Sequence, residues 1–266
     1  MHQHATGPAA TLEALLLALA ASAMAVYVCG VVLARRRGRA WPLTRTVLWC
    51  AGIAVATASV TGPIAAAAHG SFVAHMTTHL LAGMIAPLLL VLAAPVTLAL
   101  RTLAPAPARR VSRLLRSTPG RVVAHPLTAL ALSAGGLWII YLTPVLAVMR
   151  ESWLVHAAVH GHLLLAGYLF VAAVVGLDPR PHPTPRFVVA AILVVSIAAH
   201  GILAKHLYAH PPGGFAPADV QAGAQLMYYA GALVEAVVVV IFCAQWYRAA
   251  DPRRHASAVG SPAAPP

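Results

Sequence analysis

Histidines at 75 and 79 open a long apolar run that reaches Leu100. Residues four apart share one face of a helix, with β-carbons roughly 5–6 Å apart. Two imidazoles so placed can hold a metal ion from one helix wall. The spacing recurs at His156 and His160, where another apolar run begins. If both runs enter the membrane from the same side, the two pairs sit at one height and four imidazoles can converge. His162 lies two residues beyond His160, about 200° around the helix, and cannot share that face. His200 and His206 are six apart and fall on different faces, but each is a candidate ligand near the end of a further run. His206 and His210 are again four apart, with Pro211-Pro212 ending the helix behind them. Glu235 is the sole carboxylate deep in an apolar run. A carboxylate there needs a partner, and it can serve a histidine, a proton or a structural hydrogen bond to the next helix. The candidate metal set is therefore His75, His79, His156, His160, His200, His206 and Glu235.

Nitrogen-rich sites suit copper, zinc, iron and nickel. Met76, Met84 and Met227 nearby would favour Cu(I), but the chain has no Met-x-Met cluster. Cys29, Cys50 and Cys243 form no CxxC pair, so neither a thiolate copper shuttle nor a zinc ribbon is supported. A single histidine in a span is more often a satisfied interfacial residue than a ligand. Two matched pairs shift the balance to metal binding.

The elements that must position these residues are membrane helices. Of 266 residues 60% are hydrophobic and only 9% charged, against about 25% charged in soluble domains; mean hydropathy is +0.80. Apolar segments fall at about 12–34, 44–68, 72–94, 122–143, 153–175, 187–207 and 222–246, each near the ~20 residues that cross hydrocarbon. The expectation is an all-α bundle of seven transmembrane helices. It has an N-terminal tail (1–11), a membrane domain (12–248) and a tail (249–266) rich in Pro, Ala and Ser that is expected to be disordered. No basic residue precedes the first run, which argues for a retained helix over a secretory signal.

Of the 18 basic residues, 16 fall in alternate loops that would be cytoplasmic; only Arg150 and Lys205 fall opposite. Basic residues favour the cytoplasmic side, which puts the N-terminus outside and the C-terminus inside. The net charge of +12 then marks loops that stay on one face of a bilayer, with no need of nucleic acid. Eleven of the 14 histidines lie on the outer side in this topology, and only His125, His182 and His255 lie inside. Pro87 interrupts the third run and predicts a kink. Pro95 predicts its end, or a turn along the interface.

Several stretches resemble one family: HMTTHLLAGMIAPLLLVLAAPVTLALRTL from His75, HPLTALALSAGGLWIIYLTP at 125–144, and HAAVHGHLLLAGYLF at 156–170. AAHGILAKHLYA at 198–209 and GAQLMYYAGALVE at 223–235 add to them. Together, over roughly residues 65–248, they are similar to the CtaG-type cytochrome c oxidase assembly proteins of bacteria. The resemblance implies a multi-pass protein of the bacterial plasma membrane, needed to make active haem-copper oxidase, with copper delivery as its suggested role. It implies oxidase subunits and the lipid bilayer as partners, copper as Cu(I) or Cu(II), and no enzymatic step. One departure stands out: relatives commonly read Gly-Asp where this chain reads Gly231-Ala232, so Glu235 would carry more of any metal role.

Three functions compete on these residues. A copper-handling assembly factor would bind through His75, His79, His156 and His160 and pass the ion on by ligand exchange. A membrane haem b protein would need one histidine from each of two opposed helices and room for the ring. A metal-free scaffold would use its imidazoles as hydrogen-bonding glue between helices.

Overall fold

A computed structural model describes residues 8–179 and 181–250. The expectations for His2, His4 and His255, for most of both tails, and for Arg180, Arg253 and Arg254 fall outside those residues. Among the described residues the chain is all helix, with no strand. Six helices are long and apolar enough to cross a membrane: Ala10–Arg36, Leu43–Ala67, Phe72–Thr102, Trp153–Val175, Arg186–Ala209 and Pro217–Ala250. These are called here spans one, two, three, five, six and seven. Span four is a bent pair, Pro126–Leu142 and Val145–Glu151, turned by 78° at the break, which makes a seventh crossing if counted as one.

The break falls at the end of the apolar run expected at 122–143, and the short piece Val145–Glu151 beyond it was not among the expected segments. Thr143 adopts an extended backbone (φ −126, ψ 171), as the residue before a proline favours, and Pro144 starts the second piece in a new direction. At the other end, His125 caps the helix instead of lying within it, accepting from the Leu127 amide at 3.2 Å.

Span three is the hub. It packs on spans two, five and seven, while spans six and seven pack on each other and span one lies against span two. Half of its apolar window is buried against 11% for spans one and two, whose Leu15, Leu19, Val26 and Val47 side chains are left for lipid. Span three is also irregular. A π-helical turn, Leu81–Ile85, stands just before Pro87, and a second, Ala131–Gly135, occurs in span four. Pro87 has no amide proton for the carbonyl of Gly83 one turn earlier. That carbonyl lies against Gly167 of span five, where any β-carbon would strike it. The two backbones therefore meet as glycine-mediated membrane packing allows.

Two carboxylates anchor the ends of this hub. Asp219, at the start of span seven, accepts from the amides of Phe72 (2.6 Å) and Val73 (3.4 Å) and from the Ser71 hydroxyl (3.2 Å). Asp178 accepts from the Thr97 amide (2.7 Å) and hydroxyl (2.6 Å), where Ala94, in the left-handed conformation (φ 52), restarts the helix at Pro95. Both place negative charge on otherwise unbonded helix N-terminal amides.

Buried apolar side chains form two clusters in the spans that enclose the histidines. One gathers Phe72, Met76, Tyr141, Leu163, Leu203 and Met227. The other gathers Leu88, Val91, Phe170, Leu193, Val238 and Phe242. Spans three, five, six and seven contribute to both, and the polar residues of interest lie where the clusters meet.

Candidate metal centre

A cavity of about 70 Å³ opens between the two clusters. His79, His200 and Glu235 are its charged or imidazole lining, with Ser133 and Ser196 as hydroxyls. Both π-helical turns contribute, through Gly83 and Met84 on one side and Ser133 and Ala134 on the other. Such turns widen a helix locally and often mark functional positions.

His200 comes from the middle of span six and Glu235 from span seven. The His200 Nδ1 lies 3.2 Å from Glu235 Oε1. A carboxylate can only accept, so the Nδ1 carries the proton, and in the neutral ring the Nε2 keeps a bare lone pair. That Nε2 is buried and has no partner. Gly231 leaves room for the ring: a β-carbon there would run into His200 Cε1. His79 faces His200 with ring centroids 6.3 Å apart. Both His79 nitrogens are buried and unpartnered.

His160, on span five, repeats the tautomer logic. Its Nδ1 donates to the His156 carbonyl at 3.1 Å, and its Nε2 is buried without a partner. His160 stacks on His156 (centroids 4.3 Å apart, 22° between planes), and His156 stacks on the exposed His69 (5.3 Å, 10°). His75 is turned another way. It shares a 3.0 Å hydrogen bond through Nε2 with the Tyr141 hydroxyl, which also lies 3.8 Å from Met76 Sδ.

The seven sequence candidates are thus distributed unevenly. His79, His200 and Glu235 share the cavity. His156 and His160 form a stack continuous with His69. His75 is engaged by Tyr141 and is no part of the cavity lining. His206 stacks on His210 (4.7 Å) near the end of span six, outside the cavity lining. His162 uses its opposite face to donate to the Leu132 carbonyl at 3.0 Å, on the π turn of span four. Among the described residues, no three His, Cys, Asp or Glu side chains stand together closely enough to hold a metal ion as they are. Any ion must therefore draw a third donor in by side-chain rotation or use fewer.

Ala232 is exposed on span seven, and its side chain is no part of the cavity lining. Sequence reasoning assigned no role to Tyr141, His69, Gly83, Gly167 or Gly231. Tyr141 was legible as a hydroxyl inside an apolar run. The glycines have no signal of their own, because what they accommodate is on another helix.

Residues 25–249 match the family described as the cytochrome c oxidase caa3 assembly factor. The chain is 30% identical to an uncharacterized protein of Mycobacterium leprae, over 84% of this chain and 37% of that protein. It is 36% identical to uncharacterized proteins of Mycobacterium bovis and Mycobacterium tuberculosis, over 60% of this chain and 25% of each. The matched part thus spans about a third or less of the length of these relatives. No solved structure matches the chain.

Proposed function

The chain belongs to the cytochrome c oxidase caa3 assembly factor family, and we propose that its buried imidazoles hold copper in transit to a haem-copper oxidase of the bacterial plasma membrane. The observation that carries this reading is the set of four buried ring nitrogens without a partner, on His79, His160 and His200. Leaving a buried polar group unsatisfied costs about 1–3 kcal/mol, so the cluster is expensive unless something binds there. Imidazole nitrogens suit copper. A monovalent copper ion accepts as few as two nitrogen donors, which His79 and His200 supply across the cavity.

Glu235 takes the proton-bearing side of His200 and presents the other nitrogen as a ligand, in the carboxylate–histidine–metal arrangement. His160, or His75 after release from Tyr141, is the third donor. The ion is cargo and no bond of a substrate is made or broken. Outward handover to oxidase subunits is the reading that the arginine-rich loops support: basic residues favour the cytoplasmic side, which would leave the histidine-bearing ends of spans three, five and six extracytoplasmic. A haem between His79 and His200 has less support, because a cavity of about 70 Å³ is far below the ~300–1,000 Å³ of pockets that enclose drug-sized ligands.

The test is metal analysis and a visible spectrum of the purified protein after Cu(I) loading. About one copper per chain, lost in the His79→Ala, His200→Ala double variant, is the expected result. A protein that retains no copper, or one whose loading is untouched by the double variant, ends the reading. A Soret band would transfer it to haem.

A further inference from the structure

We infer that His69 and His156 form a loading and unloading port, a surface ligand pair through which the ion enters and leaves the buried site; this rests on the copper reading above. His69 lies in the short connection between Gly62–Ala67 and Phe72–Leu80. It is the one exposed member of the imidazole series that continues through half-buried His156 to buried His160. Among the described residues, neither ring of the outer pair is tied down by a side-chain hydrogen bond to another element, unlike His75, His162 and His200.

The need for such a port is physical. An ion stripped of ligands in a low-dielectric interior carries a penalty of several kcal/mol or more. Metal–nitrogen bonds are about 2.0–2.1 Å long, so an ion can pass between two imidazoles unaided only when their nitrogens can approach to about twice that. Centroid separations of 5.3 and 4.3 Å along His69, His156 and His160 bring successive imidazoles within that reach once the stacked rings turn their nitrogens toward one another. Exposed side chains change rotamer in picoseconds to nanoseconds, so His69 can capture an ion from a donor in water, or yield it to a protein acceptor, without opening the bundle. Stacking alone would give the pair a packing role. Its nitrogens are what packing does not require.

The experiment uses the full chain in detergent micelles. Cu(I) is delivered as a chelator complex. Equilibrium affinity is measured by competition, and loading and release are followed by stopped flow. His69→Ala and His69→Phe are compared with wild type; the phenyl ring keeps the stack and removes both nitrogens. Both variants should keep wild-type affinity to within about twofold, while loading and release slow by roughly tenfold, the effect of about 1.4 kcal/mol on the barrier. Wild-type rates in His69→Phe would assign the stack to packing and overturn the port. A drop in affinity as large as that of His200→Ala would make His69 a ligand of the resting site and overturn it too. Wild-type protein that binds no Cu(I) would overturn the buried site and the port together, whereas binding with unchanged His69→Phe kinetics removes the port alone.

Discussion

His200 Nδ1 meets Glu235 Oε1 at 3.2 Å across the interface of spans six and seven, and this one contact decides which nitrogen of His200 is left without a partner. Glu235→Gln can still accept the bond, through its amide oxygen, but lacks the charge that raises ligand basicity. Glu235→Ala leaves the Nδ1 proton without an acceptor. We expect Cu(I) affinity to fall about tenfold in the Gln variant and closer to 100-fold in the Ala variant, the range for partners behind a metal ligand. Competition titration against a Cu(I) chelator measures both, and equal affinities in all three proteins would remove Glu235 from the site.

Gly231 and Ala232 are neighbours with opposite expected sensitivities. A β-carbon at Gly231 runs into the His200 ring, so Gly231→Ala should displace that imidazole, destabilise the protein by about 1–3 kcal/mol and depress copper binding. Ala232 is exposed, so Ala232→Asp should leave affinity within about twofold of wild type. Thermal unfolding and Cu(I) titration of the two variants check the contrast.

Gly167 sets the approach of spans three and five. Gly167→Ala drives a methyl into the Gly83 carbonyl, and the helices must separate at the level of the cavity. A stability loss of about 1–3 kcal/mol is expected. Cross-linking between cysteines placed on spans three and five would report the wider spacing as a slower reaction.

Asp219 ties the start of span three to span seven through the amides of Phe72 and Val73. Asp219→Ala removes that cap, for which a loss of about 0.5–2 kcal/mol is expected. Hydrogen exchange at residues 72–75 should quicken ahead of exchange in the rest of the bundle. Uniform acceleration would mean that the contact holds no local role.

Tyr141→Phe releases His75 from its 3.0 Å hydrogen bond. Interhelical hydrogen bonds in membranes average only about 0.6 kcal/mol, so stability should change little. If His75 serves as the third donor, its release should tighten Cu(I) binding by a few-fold, which the same titration reads.

Much of this architecture was written along the chain. Apolar runs near the length of a bilayer crossing announced an all-helical membrane protein, and the four-residue spacings placed His75 with His79 and His156 with His160 on shared faces. What spacing cannot give is rotation about each helix axis or the depth at which two helices touch. Those were decided by contacts between distant residues: Gly167 against Gly83, Gly231 against His200, and Asp219 against Phe72. They turn His79 away from a simple four-imidazole cluster and toward His200, and leave His75 to Tyr141. The short piece Val145–Glu151 after the break lay outside every apolar run read from the sequence, and its 78° turn is a matter of direction, which hydrophobicity does not measure. Local sequence thus determined the helices and the side of each that bears nitrogen. Tertiary packing alone chose which nitrogens meet, because backbone approach at a glycine depends on the surface of the helix opposite.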